Sequence, residues 1–378
     1  MKIAVVTTGR QDLGILRSTI RALDEDPRFD VSIWAGGMHG SRRFGVPYRA
    51  IEDSGLRADQ RLDFLGEPPD PPHDTARAID ATAKAIASDR PDAILLVGDR
   101  HETLGIAMSS VLSGVPVAHL HGGEETTGAL DNLFRHAITK ISHLHLVSHP
   151  DHAARVIQMG EDPRAVHIVG APGLDNGHRS DLLDRDGIEA RLGGQLIAPV
   201  FLITVHPATA SSDPLLAEST AVAHALDHLG GTSVITLPNA DEGGAAIADF
   251  WSEWASTHER AIVVAQLGDH LYWSMLKIVD CVVGNSSSGV IEAPSLDVPS
   301  VTVGKRQEHR LRHPGVIAAP AEGGAVLEAV KKAMSEEHRR LLGTLEGPYP
   351  RGESAPRIVT VLANWVPPRA LAKTFHEE

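Results

Sequence analysis

Ile278-Val-Asp-Cys-Val-Val-Gly-Asn-Ser-Ser-Ser-Gly-Val-Ile-Glu-Ala-Pro294 joins a short apolar run ending at Gly284 to three serines and then to a helix-compatible stretch carrying Gly289 and Glu292. An apolar run of this length, closed by glycine, reads as a buried strand, and the serines suit the cap of a following helix. A strand-to-helix turn of this kind suits a phosphate. The first N–H groups of the helix point outward, its dipole favours an anion by up to about 1 kcal/mol at an exposed site, and Ser286, Ser287 and Ser288 add hydroxyls. Glu292, inside the first turns, is placed to accept from sugar hydroxyls. Taken alone, the pattern is as well explained by a helix that is merely capped. The rest of the chain decides between the two.

Outward from that stretch the same alternation recurs. Ile3-Ala-Val-Val-Thr-Thr-Gly-Arg-Gln-Asp-Leu-Gly14 is a strand opening a turn, followed by helical spacing through Ile15, Leu16, Ile20 and Leu23. The turn has neither the dinucleotide fingerprint nor a Walker lysine, so neither NAD nor ATP is expected. Arg10 stands at the end of this first strand, where a ligand crevice or a solvated loop both accommodate an arginine. Val31-Ser-Ile-Trp-Ala35 leads into a glycine-rich basic loop, Gly36-Gly-Met-His-Gly-Ser-Arg-Arg-Phe-Gly45, expected to move over a ligand. Pro91-Asp-Ala-Ile-Leu-Leu-Val-Gly-Asp-Arg-His-Glu102 is a buried strand followed by Asp99, Arg100 and Glu102. Asp99 is either the N-cap of the next helix or a base aimed into the crevice.

Pro116-Val-Ala-His-Leu-His-Gly-Gly-Glu-Glu125 is the unit densest in chemistry. His119 and His121 alternate along a strand, two glycines release Glu124 into a turn, and helical spacing resumes near Asp131, placing Arg135 one turn on. With His143, His145, His149 and His152 nearby in sequence, a metal reading has to be weighed, since His-x-His on a strand shares one face. There is no thiolate pair and no His-Glu-x-x-His spacing, so no metal and no other cofactor is expected.

The second half restarts the pattern. Phe201-Leu-Ile-Thr-Val-His-Pro207 is a strand ending at His206, Ser233-Val-Ile-Thr-Leu-Pro-Asn-Ala-Asp241 ends at Asn239 and Asp241, and residues 261–264 form a third strand before the stretch quoted first. A polar segment from about 178 to 195 separates the halves. The reading is α/β, with two doubly wound domains, 1–178 and 196–350, and a helical C-terminal tail. Facing each other, they would put both sets of strand ends in one cleft.

At 378 residues the chain has room for two cores. Its 49 acidic against 35 basic residues give a formal charge of −14, which argues against nonspecific nucleic-acid or anionic-membrane binding, so a phosphate site must be local. The single cysteine, Cys281, lies in a strand-like run and reads as a buried structural thiol, which fits a reducing cytoplasm. No apolar run is long enough for a membrane span, and Arg10 and Asp12 interrupt the N-terminus too early for a signal-peptide core.

Thr7-Thr-Gly-Arg-Gln-Asp-Leu-Gly14, Gly98-Asp-Arg-His-Glu102, His121-Gly-Gly-Glu124, Arg135-His-Ala-Ile-Thr-Lys140, Thr204-Val-His-Pro207, Pro238-Asn-Ala-Asp241 and Gly284-Asn-Ser-Ser-Ser-Gly-Val-Ile-Glu-Ala-Pro294 together resemble the hydrolysing UDP-N-acetylglucosamine 2-epimerases of sialic-acid and legionaminic-acid type pathways. The likeness covers almost the whole chain in order. It implies a GT-B fold whose C-terminal helix, about 356–378, crosses back to the first domain, and a UDP-sugar substrate in a cytoplasmic homo-oligomer, dimer or tetramer. It carries nucleotide binding to Ser286, Ser287, Ser288, Gly289 and Glu292, with Asn239 and Arg135 also on the substrate. Arg10 and His206 would hold the diphosphate, and Asp99, Glu124 and Asp131 would supply acid and base. The first turn, Asn132 and His309 depart from the family's usual pattern. These departures leave the reaction class alone and leave the sugar open, including a diacetamido-trideoxy sugar on UDP or GDP. A GT-B glycosyltransferase, a non-hydrolysing epimerase and an inactive sugar-nucleotide-binding module are the alternatives.

Overall fold

The computed structural model describes residues 1–42, 47–125, 130–207, 214–238, 243–308, 310–349 and 352–377. Asn239, Asp241, His309 and part of the basic loop after residue 42 lie outside them. The chain forms two units, Met1–Asn176 with Tyr349–Glu378, and Gly177–Pro348. The first holds strands β1 (Lys2–Thr7), β2 (Asp30–Gly36), β3 (Gln60–Leu62), β4 (Ala93–Val97), β5 (Val117–Leu120), β6 (Leu144–Val147) and β7 (Val166–Ile168). They make one parallel sheet in the order β3-β2-β1-β4-β5-β6-β7. The second holds β8 (Val200–Thr204), β9 (Thr232–Thr236), β10 (Ala261–Val264), β11 (Cys281–Gly284), β12 (Ser300–Val303) and β13 (Ile317–Ala319), in the parallel order β10-β9-β8-β11-β12-β13.

Parallel strands covered by helices on both faces must be apolar throughout, and all five residues of β4 are buried. Successive side chains of β1 go to opposite faces. Ile3 and Val5 join Leu16, Ile20, Leu120 and Leu146 on one side. Ala4 and Val6 join Trp34, Leu96, Ile106 and Ile138 on the other. The helix Arg10–Asp24 turns Leu13, Leu16, Ile20 and Leu23 inward at helical spacing. In the second unit Phe201, Ile203, Ile235, Val283 and Val301 pack with Trp251 and Val330. Among the described residues, no helix is long and apolar enough to cross a membrane.

The C-terminal segment completes the first unit. Helix Ser354–Asn364 sets Ile358, Val359 and Leu362 into the core with Leu16 and Ile20. Its first N–H groups, from Ser354 and Ala355, donate to the two oxygens of Asp175 at 3.1 and 2.7 Å. The expected helix out to 378 stops at Asn364, because Pro367 and Pro368 cannot continue helical hydrogen bonding. The irregular tail is nevertheless fastened. Lys373 donates to the Ser142 carbonyl at 2.5 Å and to Glu161 at 2.6 Å, the Leu371 carbonyl meets His143 at 3.1 Å, and the His376 N–H donates to Gly160 at 3.0 Å. The Phe375 ring lies where a Cβ on Gly160 would fall 2.2 Å from it. Buried Glu161 also accepts from Lys140 at 2.6 Å and from His145 at 2.9 Å.

Burial opposes ionisation of Glu161, but the bonds from His145, Lys140 and Lys373 outweigh it and bring the carboxyl from an ordinary 4.5 down to about 2. A depressed folded-state value contributes stability that is complete above the unfolded value and is lost as pH falls towards the folded one. Urea unfolding of the wild type should therefore lose up to about 3 kcal/mol between about pH 5 and pH 2 on this account. Glu161→Gln should be less stable near neutrality and lack that share of the acid slope; an unchanged slope would remove the tail anchor from the stability of the fold.

Candidate active site

In an open parallel sheet, ligands bind beyond the strand C-termini where the strand order reverses. That point lies between β1 and β4 in the first unit and between β8 and β11 in the second. After β1, the Thr8 N–H and hydroxyl both donate to Asp12, at 2.8 and 2.7 Å, and close the turn. Arg10 is the exposed first residue of the helix that follows. The buried His39 ring meets the Thr7 hydroxyl at 2.9 Å, and burial lowers its pKa to about 4, so it is neutral.

After β4, Gly98 takes φ +89° and Asp99 follows. Asp99 does not cap the next helix, whose N-cap is Arg100. Its carboxylate pairs with the guanidinium of Arg135, which is 4% exposed. Arg135 also donates to the Glu124 carbonyl at 2.7 Å and to Asn132 Oδ1 at 2.9 Å. One cation thus ties together the loops after β4 and β5 and its own helix, Asp131–Ile141. Asp131 opens that helix. Burial, and then the charge of Asp99, raise its pKa against the opposing pull of Arg135 and Arg100.

The β5 loop turns at His121, which adopts φ +65°, a left-handed conformation uncommon outside glycine. His121 Nδ1 lies 2.6 Å from Glu124 Oε1, and the Ser148 hydroxyl donates to the same oxygen at 2.7 Å. Burial would raise the Glu124 pKa, but His121, His152 and the Ser148 hydroxyl together hold it well below the usual carboxylate range. Glu124 and Asp131, both linked to Arg135, are therefore driven apart. His119 is fully buried between the Gly98 carbonyl at 2.8 Å and Thr139 at 3.4 Å, and burial takes it down to about 3. His143 and His145 are occupied by the C-terminal tail and Glu161. Among the described residues no three His, Cys, Asp or Glu side chains are grouped to hold a metal.

In the second unit, Gly284 sits at φ +144°, and a Cβ there would stand 2.0 Å from the Thr204 carbonyl oxygen. Only glycine lets β11 approach β8 this closely. Fully buried Asn285 then grips His206 at two points. Its Oδ1 accepts the His206 N–H at 2.7 Å, and its Nδ2 donates to the His206 carbonyl at 2.8 Å. The Asn285 carbonyl in turn accepts from Gln307 at 2.9 Å and Arg306 at 3.1 Å.

The helix expected after the serines is a 3-10 turn, Ser287–Gly289, with a separate four-residue helix, Glu292–Ser295. Pro294 has no N–H to return to Val290, and Gly289 and the β-branched pair Val290-Ile291 are weak helix formers, so no long helix develops. Anion affinity at this turn must come from local N–H groups and hydroxyls. Ser286 Oγ accepts the Ser288 N–H at 3.4 Å. Ser288 Oγ, Glu292 Oε2 and Tyr272 Oη are buried without a hydrogen-bond partner among the described residues. Burial raises the Glu292 pKa, and burial with the nearby Glu292 charge raises that of Tyr272. The structure thus gathers Ser286, Ser287, Ser288, Gly289, Glu292 and His206 around the second switch point.

Sequence reading missed Ser148, Tyr272 and the clamp made by Asn285, and weighed His152 only as a metal ligand. Ser148 directly follows the apolar run of β6, the one local signal available for it; His152 and Tyr272 lie inside helices and carry none.

The family pattern described as UDP-N-acetylglucosamine 2-epimerase matches residues 21–363. A hydrolysing GDP/UDP-N,N'-diacetylbacillosamine 2-epimerase of Campylobacter jejuni is 32% identical over 344 residues, 90% of this chain and 89% of that protein. A hydrolysing UDP-N,N'-diacetylbacillosamine 2-epimerase of Legionella pneumophila is 33% identical over 347 residues, 89% of each. The crystal structure of a Neisseria meningitidis UDP-GlcNAc 2-epimerase bound to UDP-GlcNAc superposes with a TM-score of 0.76, covering 96% of this chain and 99% of that one at 17% identity. The two Rossmann-like units are therefore those of a GT-B-type fold, and the chain belongs to the UDP-N-acetylglucosamine 2-epimerase family.

Proposed function

We propose that the protein is a hydrolysing 2-epimerase, which converts UDP-N-acetylglucosamine or a related UDP-linked 2-acetamido sugar into the free manno-configured sugar and UDP. The observation that carries this reading is the contrast between two carboxyl groups of the first unit, Glu124 kept ionised by His121, His152 and Ser148, and Asp131 pushed towards its acid form by burial and the charge of Asp99. Opposite shifts on two carboxyls of one unit suit one proton removal and one proton delivery. The hydrolysing relatives support release of a free sugar, and their diacetylbacillosamine substrates support a second acetamido group as a variant within the same substrate class.

In an α-linked 2-acetamido sugar nucleotide the C1–O and C2–H bonds are anti, so UDP can leave with the C1–O electrons while a base takes the C2 proton. No carbonyl acidifies that proton, so departure of UDP must lead. A weak base such as Glu124 then suffices, because positive charge growing at C1 acidifies the neighbouring C–H. Donors at the serine turn, with Arg10 and His206, would stabilise the departing diphosphate. Water adds to C1 of the resulting glycal while Asp131 or Asp99 protonates C2 from the other face; the proton shed by the water restores that acid, and Glu124 releases the proton it took to solvent. The unpartnered Glu292 Oε2 and Ser288 hydroxyl support a nucleotide at the turn of the second unit.

Three outcomes test this. In heavy-oxygen, deuterated water the free sugar should carry deuterium at C2 and label at C1, with none in UDP. Retention of the C2 hydrogen in a released gluco sugar would indicate a transferase hydrolysing its donor, and exchange at C2 with the sugar still on UDP would indicate a non-hydrolysing epimerase. Calorimetry should show weaker UDP binding for Ser288→Ala and Glu292→Ala with unchanged melting; equal affinity in both would move the nucleotide elsewhere. Asp99→Asn, Glu124→Gln and Asp131→Asn should each lower kcat by about 10²-fold or more while UDP affinity holds, and near-normal kcat in all three would transfer the acid and base roles to other residues.

A further inference from the structure

Glu124 is the end of a chain of buried polar groups that reaches into the helix Pro150–Gln158. Ser148, 1% exposed, donates to Glu124 Oε1 at 2.7 Å, and its oxygen lies 2.9 Å from Nδ1 of His152, which is 6% exposed. The loop is pressed onto this helix: a Cβ on Gly123, at φ +79°, would come within 2.4 Å of the His152 carbonyl oxygen, and Arg155 donates to the Gly123 carbonyl. An ionised carboxylate can only accept, so the Ser148 hydroxyl must spend its hydrogen on Glu124 and accept one from His152. The direction of the chain is therefore fixed.

We propose that Ser148 and His152 are positioning residues for the proton transfers at Glu124, linked as His152 Nδ1–H to Ser148 O–H to Glu124 Oε1. This deepens the epimerase reading and rests on it for the role of Glu124, though the hydrogen-bond polarity does not. With His121 Nδ1 2.6 Å from the same oxygen, Oε1 is saturated, and among the described residues no donor is bonded to Oε2. The carboxylate is turned so that its second oxygen is the one left to receive a substrate proton. Other charged groups nearby are Arg135, bonded to its carbonyl, and Arg155, bonded to Gly123 and paired with Glu125, which also meets His136, while His149 faces His152 with ring centroids 5.7 Å apart. Burial alone would raise the Glu124 pKa, and His121, His152 and the Ser148 hydroxyl lower it and keep the group a base.

Imidazole nitrogen NMR of the labelled wild-type protein at neutral pH decides the polarity. His152 should be the Nδ1–H tautomer; in Ser148→Ala it should move towards Nε2–H, and Ser148→Thr should keep the wild-type pattern. In Ser148→Ala/His152→Phe the rate relative to wild type should fall progressively as the pH is lowered from about 8, as the loss of two groups that lower the Glu124 pKa requires, whereas a merely structural loss would be independent of pH. An Nε2–H tautomer in the wild type, or a pH-independent rate ratio, overturns the proposal. If no sugar nucleotide is turned over at all, the epimerase reading fails while the spectra still decide the chain.

Discussion

Arg135 is the constraint on which the first unit's switch point depends. A guanidinium withdrawn from water must have its donors answered, and here the answers come from three directions, Asp99 after β4, the Glu124 carbonyl after β5, and Asn132 on its own helix. Each partner lies on a different loop or element, so satisfying one buried cation fixes the positions of all three. The same charge restrains the rise of the Asp131 pKa while leaving the Glu124 side chain to its histidines. Geometry and protonation are set by one interaction.

The second unit reaches a comparable result through backbone contact and amide bonding. Gly284 brings β11 against β8 at the Thr204 carbonyl, and the next residue, Asn285, uses its whole side-chain amide on the backbone of His206. The serine turn is thereby aligned with the end of β8 by backbone and amide bonds. Its short 3-10 geometry spreads N–H groups and hydroxyls over a small arc, a local solution that suits a chain whose overall charge repels anions.

Much of the fold was legible because parallel strands buried on both faces must be written as continuous apolar runs, as in β4, β8 and β11. Strands β3 and β13 escaped notice for the same reason. At a sheet edge the demand relaxes, and Gln60-Arg61-Leu62 buries only Leu62. Asp99, Glu124 and the serines stood out just past strand ends, and Asp131 and Arg135 at the start of a helix, but their grouping depended on which strands are neighbours. The link of Ser148 and His152 to Glu124 could not be read locally, since it comes from β6 lying beside β5. The overlong C-terminal helix was a failure of weighting, as Pro367 and Pro368 were visible throughout.

The first unit is discontinuous in sequence, its sheet made from the first 176 residues and its last core helix and tail from residues after 348. During synthesis the sheet therefore emerges with one face missing Ile358 and Leu362 and with Glu161 lacking Lys373. It must wait, partly uncovered, while the whole second unit is made. The order of translation thus lets the second unit finish folding before the first, and leaves the carboxylate-bearing half to be closed by residues made after it.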